Sequence, residues 1–287
     1  MRCLFCKQDS TNTKSVEHIV PESLGNASFI LPLGYVCDKC NNYFAREVEK
    51  PFLELPEVKL LRFQESIPNK KKRMPTIDAV LNGSIPIKLK RKISHNEVIN
   101  EAEVPAEAFE ILMNHSNTQV NIILPALTNE VSLQNSPIIS RLLAKMALEA
   151  LADKLKDIDN SLNDLIEDSQ FDLIRNHARL GMTKEWPCSI RRIYDYNKVW
   201  MFDDGIEGQM VHESDFLLIE YDTNNTTNTN FMYAEIYFII ALWGIEFAIN
   251  MGGPEIVGYE EWLKNHNHQS PLYCEKKFKE LPFYKND

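Results

Sequence analysis

The sequence predicts an α+β fold in two parts, a small cysteine-rich unit at residues 1–52 and a larger mixed domain at residues 53–287. Two Cys-x-x-Cys pairs lie in the first part, which is too short to fold by burial of apolar side chains alone. In the second part, apolar residues recur at helical spacing from Ser136 to Asp157, and short apolar runs follow Trp186. Helices and strands are therefore both expected.

The small unit divides into short elements. Pro21 ends a first strand because proline cannot donate to a sheet ladder. Phe44 and Val48 are four residues apart, which is the spacing of one helical face, and Pro51 follows as a signal that ends the helix. We predict a strand at Ser15–Val20, a loop at Glu22–Leu31, a second strand at Gly34–Cys37 and a helix at Asn41–Lys50.

Four cysteines form the most specific pattern of the small unit, C-x2-C-x30-C-x2-C. Two thiolates separated by two residues grip one ion from a tight turn, and two such turns complete a tetrahedron, which suits Zn²⁺. Four thiolates leave no open coordination position, so we predict a structural zinc ion. The predicted ligands are Cys3, Cys6, Cys37 and Cys40, whereas the isolated Cys188 and Cys274 are expected in the core.

The second part begins with a proline-containing segment, residues 51–75, that we interpret as a linker carrying the exposed basic run Asn69–Arg73. Alternating apolar residues then predict a strand at Ser84–Ile93. Spacings of three and four residues predict helices at Ser136–Asp157 and Phe171–Leu180. We further predict strands within residues 189–196, 199–202 and 215–221, and a polar loop at Asp222–Asn230.

The composition, with 44% hydrophobic and 25% charged residues, is that of an ordinary folded protein, so global disorder is excluded. The N-terminal residues lack the long apolar run of a secretory signal, and we expect a cytoplasmic protein with reduced thiols. The longest apolar stretch, residues 231–250, contains Glu235 and Glu246. We therefore expect it to be a buried element of the fold and not a membrane span.

The net charge of −10 is distributed unevenly. Residues 1–100 carry 16 Lys and Arg against 11 Asp and Glu, whereas residues 101–287 carry 15 against 30. This balance excludes a protein that coats nucleic acid along its whole length, but it allows the N-terminal part to approach phosphates. We expect residues 53–287 to bind a protein partner or another copy of the chain, or to restrain the N-terminal part.

Glu17 and His18 stand between the two cysteine pairs, and Asn41 directly follows the last cysteine. A zinc ion held by both pairs brings the strand of Glu17 and His18 close to Asn41. An imidazole can take a proton from water near neutral pH. Carboxylate and amide oxygens suit Mg²⁺, which can stabilise charge on the leaving oxygen of a phosphodiester. Asn41 is also a candidate N-cap of the helix.

The order Cys-x-x-Cys, Glu-His-Ile-x-Pro and Cys-x-x-Cys-Asn resembles the HNH endonucleases, which are His-Me finger or ββα-metal nucleases. It is most similar to members whose finger is closed by a four-cysteine zinc site, and it covers residues 1–52. The resemblance implies that His18 is the general base and that a catalytic divalent ion, Mg²⁺ or Mn²⁺, binds Glu17 and Asn41. Glu17 stands where many members have Asp.

Many members of this family carry an Asn or His in the middle of the motif, and that residue braces the general base. The predicted second strand, Gly34–Cys37, offers no such residue, and Asn26 is the nearest candidate. Lys39, Arg46 and Lys50 on the following helix are candidate contacts to phosphate groups of the substrate.

The sequence therefore predicts a metal-dependent endonuclease that acts on nucleic acid, and the resemblance favours DNA. HNH modules are often joined to parts that choose a target or respond to a signal, in mobile elements and in bacterial defence against phage, so residues 53–287 are expected to recognise, sense or bind a partner. Two alternatives remain open. One is a non-catalytic zinc-knuckle module that binds nucleic acid or protein, and the other is a regulatory protein whose second part carries the function.

Overall fold

The computed structural model describes residues 1–94, 97–106, 109, 121–181, 185–201, 205–221, 233–273 and 279–280. These residues form helices and antiparallel sheets, which confirms the α+β class. The chain divides into two compact units. The first unit contains Met1–Val20, Asn26–Lys50 and Asn129–Asp287, and the second contains Pro21–Gly25 and Pro51–Thr128. The division of function at residue 52 stays a prediction.

The helices and strands in the described ranges are numbered in chain order. The α-helices are α1 (Asp38–Phe44), α2 (Lys50–Leu53), α3 (Pro56–Gln64), α4 (Pro137–Lys154), α5 (Ser161–Glu167), α6 (Asp172–Leu180) and α7 (Val257–Asn265). The strands are β1 (Thr76–Leu81), β2 (Ile85–Ser94), β3 (Glu97–Glu103), β4 (Ile122–Ile123), β5 (Cys188–Arg192), β6 (Val199–Met201), β7 (Glu207–Gln209), β8 (His212–Tyr221), β9 (Tyr233–Leu242), β10 (Ile245–Asn250) and β11 (Lys279–Glu280).

The second unit contains a four-stranded sheet in the order β3-β2-β1-β4 and helix α3. Ile87 and Leu89 of β2 are buried and alternate with outward-facing residues, which confirms the predicted strand. Phe63 of α3 packs with them in one apolar cluster. The predicted linker at residues 51–75 is wrong, because α3 forms within it. Pro56 occupies the start of α3, where its missing N–H has no helical partner to lose.

In the first unit, the longest helix is α4, and its beginning is set by a capping side chain. The Ser136 hydroxyl accepts a hydrogen bond from the Ile139 N–H at 3.4 Å, and Pro137 occupies the first turn. The predicted helix at Ser136–Asp157 is thus confirmed, with its end at Lys154. The same unit confirms the predicted helix at Phe171–Leu180, as α6, and strands in the three predicted segments, as β5, β6 and β8.

Helix α6 contacts the N-terminal residues through a buried arginine. Arg175 donates from Nε to the Leu4 carbonyl at 2.9 Å and from Nη2 to the Leu165 carbonyl at 2.8 Å. Because Met1–Val20 and Asn26–Lys50 belong to the same compact unit as Asn129–Asp287, the chain that follows the cysteine pairs contributes directly to the surroundings of the candidate site.

The apolar stretch at residues 231–250 forms β9 and β10 from Tyr233 onward, in a sheet ordered β5-β10-β9-β8. The two strands are joined at Trp243 and Gly244, both of which have positive φ. A Cβ on Gly244 would lie 2.2 Å from the Tyr194 carbonyl oxygen, so this turn requires glycine. Among the described helices, none is long and apolar enough to cross a membrane.

Of the two isolated cysteines, Cys188 is buried as predicted. The predictions for Cys274 and for the polar loop at Asp222–Asn230 lie outside the described residues.

Candidate active site

Four cysteines meet at the N-terminal end of α1. Their sulfur atoms all lie within 4.8 Å of one another, and the sulfurs of Cys6 and Cys37 are 3.6 Å apart. A tetrahedral zinc site with Zn–S bonds of about 2.3 Å has S···S edges of about 3.8 Å. The cluster therefore has the dimensions and the donors of a four-thiolate zinc centre, formed by Cys3, Cys6, Cys37 and Cys40.

The local backbone explains why these sulfurs converge. The Lys7 N–H donates to the Cys3 carbonyl at 2.9 Å, and Lys7 has a φ of 58°, so the first pair lies on a tight turn. The Cys37 N–H donates to the Cys3 sulfur at 3.4 Å. A hydrogen bond with the Cys40 thiol lowers the pKa of Cys3 to about 4, and the same interaction raises the pKa of Cys40. The opposite pKa shifts of Cys3 and Cys40 reflect how close the two thiols lie.

His18 lies on a short hairpin that differs from the predicted pair of strands. The predicted strand at Ser15–Val20 is reduced to the single bridge residue His18. His18 forms an antiparallel bridge with Ile30, and the Leu31 N–H donates to the Glu17 carbonyl at 2.9 Å. The predicted strand at Gly34–Cys37 is wrong. Gly34 has a φ of 93°, and the Tyr35 carbonyl accepts from the Leu4 N–H at 2.8 Å, so this segment turns and pairs with the first cysteine turn.

Asn26 organises the hairpin loop and is not a brace for His18. Its amide nitrogen donates to the carbonyls of Val20 at 2.6 Å and Phe29 at 2.9 Å. Its amide oxygen accepts from the N–H groups of Ser28 at 3.1 Å and Phe29 at 2.8 Å. Two donors and two lone pairs are the full capacity of a carboxamide, so none remains for the imidazole.

Asn41 connects α1 to the strand of the candidate catalytic pair. Its Nδ2 donates to the Val16 carbonyl at 3.1 Å, one residue before Glu17. The structure thus brings Asn41 to the strand of Glu17 and His18, while the roles of the three residues stay predictions. The N-cap of α1 is Cys37 and not Asn41, which corrects the capping alternative. The bond uses the amide nitrogen, and coordination uses the amide oxygen, so the two are compatible.

Asp38 is a second connection between α1 and this strand, and sequence reasoning missed it. Its carboxylate accepts from the Ser15 N–H at 2.9 Å and from the Lys14 N–H at 3.1 Å. Hydrogen bonds from the Ser15 hydroxyl and N–H lower the pKa of Asp38. The position of Asp38 in the first turn, directly after a zinc cysteine, is the signal that identifies such a connection.

The helical chain after the last cysteine differs from the predicted helix at Asn41–Lys50. It begins at Asp38, contains a π-helical turn at Ala45–Glu49 and continues as α2, within which Pro51 lies. Pro51 does not end the helix, since the wider π turn before it relieves the clash between a proline ring and the preceding turn. The candidate phosphate contacts Lys39, Arg46 and Lys50 are exposed, and Arg46 forms an ion pair with Glu47.

A buried lysine from α4 contacts the candidate catalytic pair, and the sequence prediction did not include it. The Lys145 ammonium is fully buried and lies 2.7 Å from the carboxylate of Glu17, which is 5% exposed. It lies 2.8 Å from Glu149 and 3.3 Å from Glu49, and it donates to the His18 carbonyl at 3.2 Å. Burial alone would lower the pKa of Lys145, but the three carboxylates raise it well above its usual value.

Comparison with known proteins gives one result for this site. Residues 3–55 match the model of the HNH endonuclease family. No curated protein and no solved structure matches the chain.

The match confirms the resemblance found in the sequence, and it covers the four-cysteine cluster together with Glu17, His18 and Asn41. At the level of the family it supports a nuclease, a hydrolase that acts on nucleic acid. The matched segment ends at Leu55, so the match assigns nothing to the rest of the chain.

Proposed function

We propose that this protein is a zinc-stabilised, metal-dependent endonuclease that hydrolyses phosphodiester bonds in nucleic acid, with DNA as the favoured substrate. The observation that carries the proposal is the 3.1 Å hydrogen bond from Asn41 to the Val16 carbonyl. It joins the helix after the last cysteine to the strand of Glu17 and His18, within the segment that the HNH model matches.

In the proposed reaction, the His18 imidazole takes a proton from a water molecule as the water oxygen attacks the phosphorus. A bond forms between phosphorus and the water oxygen, and the bond to the leaving oxygen breaks with its electron pair. The carboxylate of Glu17 and the amide oxygen of Asn41 are the donors that suit Mg²⁺ or Mn²⁺. Such an ion, when bound there, stabilises negative charge on the leaving oxygen.

Contacts to the substrate are proposed for Lys39, Arg46 and Lys50, which are exposed on the helical chain that begins at the zinc centre. Lysine and arginine side chains that neutralise phosphates release counterions, so binding is expected to be sensitive to salt and largely independent of base sequence.

The test uses zinc-loaded protein, supercoiled plasmid DNA and Mg²⁺ or Mn²⁺, with a chelator control. We expect metal-dependent cleavage that His18→Ala slows by about 10²- to 10⁴-fold, the usual contribution of a general base. The matched control is His266→Ala, which removes an imidazole that is exposed and stacks on Trp262. A His18→Ala protein that keeps its zinc and cleaves at the control rate would contradict the assignment.

The remaining chain is proposed to recognise a target, sense a signal or bind a partner, in a cytoplasmic protein of bacterial phage defence or of a mobile element. This part of the proposal is supported by the excess of acidic residues after residue 100. An acidic surface repels nucleic acid and suits a protein partner better.

A second candidate function is a non-catalytic zinc-knuckle module that binds nucleic acid or protein. The observation that favours it is the ion pair between Glu17 and Lys145, because the ammonium neutralises the charge of the carboxylate that the nuclease requires as a metal ligand. Binding of nucleic acid with no cleavage in Mg²⁺ or Mn²⁺, unchanged in His18→Ala, would favour this function over the nuclease.

A further inference from the structure

Lys145 is the feature of the first unit that the proposed chemistry leaves unexplained. It lies in the middle of α4, and 127 residues separate it from His18, yet its ammonium contacts both members of the candidate catalytic pair. It reaches the side chain of Glu17 and the backbone carbonyl of His18. A single ammonium therefore fixes two neighbouring residues of one strand.

The cluster contains more negative than positive groups. One buried ammonium faces the carboxylates of Glu17, Glu49 and Glu149. Besides Glu17, the Lys145 ammonium lies 2.8 Å from Glu149 and 3.3 Å from Glu49. Lys145 thus keeps these two hydrogen-bonding partners when the charge of Glu17 is shared with a metal ion.

A carboxylate has two oxygens, so it can accept a hydrogen bond at one oxygen while it coordinates a metal ion through the other. The Lys145 ammonium contacts Oε1 of Glu17. Groups that hydrogen-bond to a metal ligand set its orientation, and their removal usually costs 10- to 100-fold in metal affinity or activity.

We propose that Lys145 is a positioning residue for this site, which holds the Glu17 carboxylate and the His18 backbone in the geometry that metal binding and proton transfer require. The inference rests on the proposed nuclease function. It extends the catalytic unit beyond the matched segment to α4, so the N-terminal residues alone do not contain a complete active site.

A purely structural role explains the arrangement less well. Taking a lysine and three carboxylates out of water is costly, and apolar side chains of similar volume usually stabilise a protein as well or better. Helix α4 has such side chains on either side of this position, with Ala144 and Met146 fully buried. A lysine at this depth therefore indicates a task that an apolar residue cannot perform.

The test measures Mn²⁺ binding to zinc-loaded protein by electron paramagnetic resonance, beside kcat and KM for plasmid cleavage. The Glu17→Gln variant shows how much Mn²⁺ binding and cleavage remain without the proposed carboxylate ligand. We expect Lys145→Met to weaken Mn²⁺ binding by about 10- to 100-fold and to lower kcat by about 10²-fold, as for a misplaced catalytic group. The KM for DNA should stay within a factor of two to three, since the exposed cations remain.

Two further variants keep the test decisive if Lys145→Met fails to fold. Lys145→Arg keeps the charge and should recover part of the Mn²⁺ affinity and of kcat. The double variant Lys145→Met/Glu149→Leu replaces the fully buried pair within α4 by apolar groups, so that fewer charges stay buried without a partner than in Lys145→Met alone. It should fold and still lose Mn²⁺ affinity and activity.

The matched control is Lys154→Met on the same helix, since Lys154 forms an exposed ion pair with Asp215 at 2.8 Å. We expect this variant to behave like the wild type in every measurement. This control shows whether an effect of Lys145→Met comes from the lost contacts of Lys145 or only from the loss of one positive charge on α4.

The outcomes distinguish this inference from the function on which it rests. If the wild type binds Mn²⁺ and cleaves, and a folded Lys145 variant does both equally well, Lys145 is structural and the inference is overturned. Tighter Mn²⁺ binding in Lys145→Met also overturns it, because Lys145 would then hold Glu17 away from the ion. If the wild type neither binds Mn²⁺ nor cleaves, the proposed function fails and the inference with it.

Discussion

At the scale of single residues, Asn26 shows how one side chain can determine the shape of the hairpin that carries His18. Its carboxamide makes four hydrogen bonds, all to backbone groups, and the side chain is buried. No side chain without both donors and acceptors can satisfy these backbone groups. The loop between His18 and Ile30 therefore depends on an asparagine at this position.

We expect Asn26→Ala to lower the free energy of unfolding by about 2 kcal/mol or more, because it leaves backbone groups unsatisfied. The measurement is denaturant unfolding of the zinc-loaded protein. Asn42→Ala, which alters an exposed asparagine of α1, is the control and should change stability by less than about 0.5 kcal/mol. Equal denaturant midpoints for the two variants would show that the hydrogen bonds of Asn26 make no net contribution to the free energy of unfolding.

The sequence predicts site residues only where they stand close to a recognisable motif. Glu17, His18 and Asn41 could be proposed because they stand beside the cysteine pairs, and their roles stay predictions. Lys145 was not found, since helical spacing predicts that a residue faces the core but not which distant segment it meets there. A Lys and a Glu four residues apart within an otherwise apolar stretch, as Lys145 and Glu149 are within residues 142–152, are nevertheless a detectable signal.

At the scale of elements, the cysteine cluster adds to the burial of apolar side chains such as Ile19 and Phe44 in holding the hairpin against α1. The hairpin consists of one bridged residue pair, His18 and Ile30, which cannot be stable alone. Structural zinc in small fingers contributes about 10–16 kcal/mol of apparent binding free energy, which is folding free energy. The order of the N-terminal residues is therefore expected to depend on metal.

We expect Cys40→Ser, or a strong chelator, to remove zinc and to expose residues 1–50 to limited proteolysis. The control is Cys188→Ala, which alters a buried cysteine whose thiol donates to the Asn135 side chain at 3.0 Å. It should keep about one zinc ion per chain, the stoichiometry of a four-cysteine site. Full zinc content in Cys40→Ser would refute a four-thiolate centre.

The element predictions succeeded where periodicity is strong and failed where geometry depends on contacts. The spacing of apolar residues identified α4 and β2. The second hairpin strand was misplaced because Gly34–Cys37 looks extended in sequence, whereas its hydrogen bonds are made to the first cysteine turn. The π turn before Pro51 has no sequence signature of its own, so the proline predicts a helix end that the structure does not have.

At the scale of the whole molecule, the charge distribution predicts how nucleic acid is bound. The basic excess lies in residues 1–100, and the acidic excess follows. Contacts to phosphate through Lys39, Arg46 and Lys50 would make affinity fall steeply with salt.

We expect each of Lys39→Gln, Arg46→Gln and Lys50→Gln to reduce the slope of log affinity against log salt by about 0.9, the effect of one lost phosphate contact. The measurement is fluorescence anisotropy of labelled DNA with His18→Ala protein, which prevents cleavage. Lys154→Gln is the control and should leave the slope unchanged. If all four variants share the wild-type slope, these cations are only solvated.

Met1–Val20 and Asn26–Lys50 fold in one unit with Asn129–Asp287, and this has a consequence for how the gene can be exchanged between genomes. Arg141 of α4 donates to the Tyr43 hydroxyl at 2.8 Å, and Arg175 of α6 donates to the Leu4 carbonyl. Together with the contacts of Lys145, these bonds connect α4 and α6 to the N-terminal residues. A recombination event that moved only the codons of about the first fifty residues would transfer the cysteines but lose these contacts. We therefore expect genomes to exchange most of the gene at once. Chimeric proteins that join this N-terminal half to an unrelated C-terminal half should fail to fold.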